Sequence, residues 1–266
     1  MKGMNKDKKT ECLRYDVRAQ SLLAVGTSAV ERAPDFGSLA VPLIYRAPYI
    51  YYEQCIRNFV FQNHDVLELG SGTGLHTYVL TQTGARVVAS DISNHSLEVL
   101  SQRIGGLKTR VADMESLPFE EHSFDVVASA GSLSYGNPAS VDAEVRRVLR
   151  PGGIFLCVDS LNHHPIYRLN RWLHYKRGDR TQSTLLHMPT LERIQSISRG
   201  FKDTDVRFFG SISYVMPVLA RIIGQSNAAK ISDAVDRLVH VRRSAFKFVM
   251  VAKGRFYKQL FNIVVN

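Results

Sequence analysis

Five apolar runs of strand length alternate with helical segments between Asp65 and Ser160. DVLEL, RVVASD, TRVAD, SFDVVASAG and IFLCVDS read as strands, and LHTYVLTQTG, SLEVLSQRIGG and SVDAEVRRVLRPGG as helices between them. SFDVVASAG has the near-continuous apolar character of a parallel strand covered on both faces. Parallel strands need crossover connections, and right-handed crossovers place helices on both sides. The alternation therefore predicts a doubly wound α/β sheet. Two further strands, DVRFFGS and AFKFVMVAKG, come after longer helical excursions. Ahead of the first strand, Tyr49, Tyr52, Ile56 and Val60 share one helical face.

In such a sheet ligands bind beyond the carboxyl ends of the strands. The first strand runs straight into GSGTG, with Gly70, Gly72 and Gly74 alternating and Glu68 two residues ahead. Glycine admits positive φ and lets a ligand approach the backbone, and the helix start after the loop favours a negative group. A dinucleotide loop needs GxGxxG; here the third glycine comes one residue early. Polar residues end the other strands: Asp91, Asp113, Ser129 to Ser132, and Asp159 to Asn162.

The motifs LELGSGTG, ASDIS, ADMESLPFEEHSFDVV and LRPGG, in this order and spacing, resemble the class I S-adenosylmethionine-dependent methyltransferases. The resemblance is to the small-molecule branch that includes quinone and sterol enzymes, and it covers about residues 60 to 160. It implies a Rossmann-like seven-stranded sheet, mostly parallel with an antiparallel last strand, and S-adenosylmethionine as cofactor. Position by position it implies that Glu68, Gly70, Ser71, Gly72 and Gly74 hold the methionine end, Glu68 through the ammonium. Asp91 is implied for the ribose hydroxyls, Ile92 for the adenine face, and Asp113 for the adenine amino group with Met114 as an apolar contact. Ala130 and Gly131, with Ser132, would face the sulfonium and the acceptor. The expected chemistry is methyl transfer, for which the protein supplies position and desolvation.

The acceptor side is read from residues beyond the fourth and fifth strands: Tyr135, Asp159, Asn162, His163 and His164. A histidine titrates near neutral pH, so His163 and His164 are the candidate catalytic bases; Pro165 after them also fits a plain helix start. In HHPIYRLNRWLHYKRGDR, Ile166, Leu169 and Leu173 form an apolar stripe, and Arg168 and Arg171 fall on another face. Arginines at that density suit phosphate, which makes Tyr135, Asn162, Arg168 and Arg171 candidate acceptor contacts. The same helix, with Trp172, also reads as an interfacial helix on an anionic membrane, or as a solvated basic face. The segment has a looser resemblance to methyltransferases of bacterial surface-polysaccharide biosynthesis, which implies a glycan acceptor, phosphorylated or lipid-linked. The alternatives are C- or O-methylation of a prenylated quinone or other lipid, and a non-catalytic protein that binds S-adenosylmethionine.

The 266 residues carry a net charge of +10, which favours acidic partners, yet no RNA-binding motif accompanies it and nucleic acid is not expected. The expected domain spans 41–254, with helical lids at about 160–188 and 211–244, an irregular segment at 1–40 and a tail at 255–266. Three scattered cysteines give no disulfide or zinc pattern. No run reads as a signal peptide or a membrane span, so the expectation is a cytoplasmic protein, with peripheral membrane contact as the second reading of the basic helix.

Overall fold

The computed structural model describes residues 6–24, 37–178, 180–238 and 242–254. Its sheet has seven strands in the order β3-β2-β1-β4-β5-β7-β6. These are β1 (Asp65–Leu69), β2 (Arg86–Asp91), β3 (Lys108–Val111), β4 (Phe124–Ala130), β5 (Leu149–Ser160), β6 (Asp203–Phe209) and β7 (Lys247–Lys253). The first five run parallel, and β7 is antiparallel to both β5 and β6. The strand order reverses beside β1, so the glycine loop leaves the sheet at the switch point.

Neighbouring residues of one strand feed opposite cores, as a sheet buried on both faces requires. Leu67, Val127, Phe155 and Met250 pack on one side with Val141, Val145 and Val148 of α5 (Pro138–Val148) and with Ile194 and Ile197 of α8 (Leu191–Arg199). Val66, Val126, Leu156 and Val251 pack on the other with Tyr52 and Ile56 of α2 (Ala47–Phe59) and with Val79 and Leu80 of α3 (Thr77–Thr81). A smaller cluster joins Ala89 to Leu97 and Leu100 of α4 (Asn94–Arg103). The segment LRPGG, read as the end of a helix, instead opens β5, where the pairing with β4 shifts register between Phe124 and Val126.

Two expectations need correction. The stretch up to residue 40 is not irregular throughout, because Lys6–Ala24 is a 19-residue helix, α1. It is held by polar bonds to distant parts of the chain rather than by an apolar stripe: Asp16 Oδ1 accepts from Ser93 Oγ at 2.6 Å, and Glu11 Oε1 accepts from Thr181 Oγ1 at 2.9 Å. The second concerns α6 (Pro165–Lys176), whose Arg168 and Arg171 were expected to share a face: Arg168 is exposed and Arg171 is buried. Its apolar stripe faces outward, with Ile166 47%, Leu169 58% and Leu173 39% exposed, while Arg171 is 5% exposed. The reason is local: Arg171 Nη1 donates to Leu161 O at 2.8 Å and to Asn162 Oδ1 at 3.0 Å, and Tyr167 Oη donates to Gly210 O at 3.1 Å. These bonds fix the rotation of the helix against the sheet.

The second excursion forms α9 (Met216–Ile223) and α10 (Gln225–Leu238), and the first forms α6 and α7 (Gln182–Leu186). The tail expected at 255–266 lies outside the described residues.

Candidate active site

A cavity of about 320 Å³ opens beyond the carboxyl ends of β1, β2, β3 and β4 and is covered by α1. That volume lies within the range of small-ligand sites. Gly70, Ser71 and Gly72 form one wall, Asp91 and Ile92 the next, Asp113 and Met114 a third, and Ala130, Gly131, Ser132 and Tyr135 the far end. Gly72 has φ +53° and Gly131 has φ +75°, and a Cβ on either would meet nothing within 4 Å. Both are places where the backbone borders open space. Gly74 serves a different purpose and lies outside the cavity wall: a Cβ there would collide with Leu100 Cδ1, so the glycine lets the loop pack on α4.

Asp91 is the central carboxylate of this wall. Its Oδ2 accepts from Gly72 N at 2.9 Å and its Oδ1 from Ser93 N at 2.8 Å. Burial pushes its pKa up, and these amide donors pull it back. Glu68 is placed differently from the expectation. It is 2% exposed, lies outside the cavity wall beneath the loop, and accepts from Thr77 Oγ1 at 2.6 Å. Burial raises its pKa to about 7. Asp113 does line the cavity, but Lys8 of α1 reaches it at 2.6 Å and also reaches Glu115 at 2.9 Å.

At the far end, Ser132 Oγ donates to Leu69 O at 2.9 Å and lies 2.7 Å from Ser129 Oγ. Tyr135 Oη meets Tyr15 Oη of α1 at 2.5 Å. Burial raises the pKa of both phenols.

Residues 67–157 match a family described as a methyltransferase domain. That span contains the glycine loop, Asp91, Asp113 and the β4 end, the four walls of the cavity. These residues form a methyltransferase domain.

The residues present fit the methyltransferase cofactor. Ser71 Oγ is buried in the cavity wall with no hydrogen-bond partner among the described residues, and an orphaned buried hydroxyl is costly unless a ligand satisfies it. Gly72 and Gly131 leave room for close approach on two sides.

The acceptor side departs further from the expectation. His164 is the N-cap of α6: its Nδ1 accepts from Ile166 N at 3.3 Å, and its ring stacks on Tyr214 with centroids 5.4 Å apart. His163 is half-buried, and neither imidazole lines the cavity. The plain helix start therefore accounts for His164, and Pro165 at the first helical position is the reason. Asn162 and Arg171 bond each other behind β5, whereas Arg168 is exposed and does not join them. Asp159, 2% exposed, accepts from Leu133 N at 2.9 Å and Ser160 N at 2.6 Å.

Two sets of residues were not anticipated from the sequence. Lys8, Glu11, Tyr15 and Arg18 of α1 line the cavity. The spacing of Cys12, Tyr15 and Ala19 carried a faint helical signal, but Leu13 and Val17 on the outer face blurred it, being 63% and 55% exposed. Lys247 is the other. A lysine at the start of an otherwise apolar strand was a signal, and it proves 8% exposed, with Nζ 3.1 Å from Ser160 Oγ.

The relatives in sequence include the demethylmenaquinone methyltransferase of Clavibacter sepedonicus, 39% identical over 117 residues, which are 42% of this chain and 47% of that protein. The demethylmenaquinone methyltransferase of Thermobifida fusca is 36% identical over 118 residues, 41% of this chain and 48% of that protein. The chain thus spans about half the length of these two relatives. Among solved structures, the [4+2]-cyclase SpnF superposes with a TM-score of 0.61 at 18% identity, over 94% of this chain and 97% of its own. Phosphoethanolamine N-methyltransferase 2 of Haemonchus contortus, in complex with S-adenosylmethionine, gives 0.57 at 18% identity, over 78% of this chain and 53% of its own. At such identities the likeness is one of fold, and a cyclase with this fold shows why chemistry must be argued from the site.

Proposed function

We propose that the protein transfers the methyl group of S-adenosylmethionine to a small-molecule acceptor carried on a lipid. The observation that carries methyl transfer is the cavity itself, where Asp91, tied to Gly72, stands beside the orphaned Ser71 hydroxyl at the switch point of the sheet. In this reading the Asp91 carboxylate takes the ribose hydroxyls, as a charged acceptor suits a diol. Ile92 and Met114 sandwich the adenine, and Ser71, Gly72 and Gly131 receive the methionine end. The sulfonium supplies an activated methyl group when bound. Tyr15 and Tyr135 close the far end and exclude water from it.

The acceptor approaches from the β4, β5 and β7 side, where Asp159, Ser160 and Lys247 cluster. Two readings of it stand. A quinone-like ring is supported by the relatives named demethylmenaquinone methyltransferases. A lipid-linked sugar is supported by the buried Arg171, a residue type that forks onto phosphate. Both involve a lipid, and the outward stripe of α6 supports that. Ile166, Leu169 and Trp172 are exposed there, with Lys176 Nζ 5.5 Å from the centre of the Trp172 ring, the composition of a helix that lies on an anionic surface.

Methyl-labelled S-adenosylmethionine, incubated with the protein and a lipid extract of its host, tests this. Label in the organic phase is expected. Label confined to the aqueous phase would discard the lipid, and no transfer to any fraction would leave a binding protein in place of an enzyme.

A further inference from the structure

Three cationic side chains among the described residues are less than a tenth exposed: Arg171 at 5%, Arg193 at 8% and Lys247 at 8%. Arg193 has its counter-ion, Asp142, at 3.0 Å. Arg171 and Lys247 form no ion pair among the described residues. Arg171 spends Nη1 on Leu161 O and Asn162 Oδ1, and its Nη2 is buried without a partner among the described residues. Lys247 donates only to the neutral Ser160 hydroxyl among its described hydrogen bonds.

The two cations flank one aromatic ring. The Arg171 guanidinium is 5.9 Å from the centre of Phe246, and Lys247 Nζ is 5.5 Å from it. One buried carboxylate, Asp159, is near both: Lys247 lowers its pKa, and it raises that of Arg171. Yet both Asp159 oxygens are taken by the amides of Leu133 and Ser160. Two buried cations against one carboxylate leave a positive charge uncompensated. A fold keeps such a charge at a cost in stability, since apolar residues of similar volume would pack there without a desolvation penalty.

A second orphan adjoins the pair. His76 Nδ1 is buried without a partner among the described residues, and its ring stacks on Tyr49, centroids 5.2 Å apart, while Lys247 Nζ lies 5.1 Å from the Tyr49 centroid. His76 directly follows Leu75 of the cavity wall, and Tyr135 of that wall interacts electrostatically with Asp159. Arg171, Lys247, Asp159 and His76 do not themselves line the cofactor cavity; the cluster adjoins it through these neighbours, on the side where β5 ends and β7 begins. We infer that Arg171 and Lys247 receive an oxyanion of the methyl acceptor, a carboxylate or a phosphate, and so select an anionic acceptor. That the bound anion is a methyl acceptor rests on the methyltransferase reading; the anion site rests on the two cations left without an ion pair among the described residues.

Calorimetric titration of phenyl phosphate and of benzoate into the full chain, with and without S-adenosylhomocysteine, tests it. One probe saturates the wild type, and which one does so separates phosphate from carboxylate. Lys247→Met and Arg171→Met each weaken it by roughly tenfold or more, the effect of one charge-assisted hydrogen bond, while Lys247→Arg retains it and S-adenosylhomocysteine binds all variants alike. The Lys247→Met melting temperature is not lower than that of the wild type, because it sheds an uncompensated charge. Absence of saturable binding by both probes, equal binding by wild type and Met variants, or a Lys247→Met protein that melts earlier would each overturn the anion site. Failure of S-adenosylhomocysteine to bind the wild type would instead overturn the methyltransferase reading, with the anion titration still readable in its absence.

Discussion

The Gly72 amide donates to Asp91 Oδ2 at 2.9 Å, so the glycine loop is fastened to the carboxylate that ends the second strand. Gly72 reaches this position with φ +53°, and a methyl group there would enter open space. Gly72→Ala is therefore expected to fold, at a cost of about 1–2 kcal/mol for the left-handed conformation, and to lose cofactor affinity because its methyl group projects into the cavity. Gly70→Ala is expected to fail at folding, since its Cβ would collide with Ser132 Cβ. Melting curves beside cofactor titrations separate the two effects; unchanged affinity in Gly72→Ala would show that the loop does not border the ligand.

Helix α1 closes the cavity through bonds that can be cut one at a time. Glu11 Oε1 accepts from Thr181 N at 3.1 Å, from Thr181 Oγ1 at 2.9 Å and from Thr184 Oγ1 at 3.0 Å. Glu11→Gln weakens this anchor without removing the helix, and the expected outcome is faster release of S-adenosylhomocysteine in stopped-flow displacement, by about tenfold. A release rate equal to that of the wild type would mean that the ligand leaves without passing α1.

Much of the sheet was legible because alternation of apolar runs is a local signal, and Asp91 and the glycine loop follow from where strands end. The rotation of α6 was not legible. Arg168 and Arg171 were expected on one face, but the carbonyl of Leu161 and the Asn162 side chain, outside the helix, bind Arg171 and bury it, which leaves Arg168 and the stripe of Ile166, Leu169 and Leu173 exposed. The place of α1 was hidden for the same reason: its partners Asp113, Tyr135 and Thr181 lie more than a hundred residues away. Glu68 shows a third limit. Its position in the motif was clear, but only the packing reveals that the carboxylate is committed to Thr77 beneath the loop.

That burial gives a pH dependence. The Glu68 pKa is raised from 4.5 to about 7 by desolvation, with the Thr77 hydroxyl opposing. A carboxyl raised on folding contributes stability that is fully present below its unfolded pKa and is lost as pH rises through the folded value. Between about pH 4.5 and 7 the wild type should lose stability from this group, and Glu68→Gln should not. Denaturant midpoints of the two proteins across that window check it. Parallel curves would show that folding does not raise the Glu68 pKa.

The outward stripe of α6 makes a separate prediction. Trp172→Ala together with Leu169→Ser should leave the fold intact, the two side chains being 45% and 58% exposed, and should reduce sedimentation with vesicles containing phosphatidylglycerol. Equal sedimentation of wild type and variant would rule out this stripe as a lipid-facing surface.

The most direct measurement is calorimetric titration of S-adenosylhomocysteine into the wild type and into Asp91→Ala, with circular dichroism of both. One saturable site is expected in the wild type and a loss of roughly 100-fold or more in the variant, as two charge-assisted hydrogen bonds disappear, with the fold retained. Undiminished affinity in a folded Asp91→Ala protein would contradict the placement of the cofactor against this carboxylate.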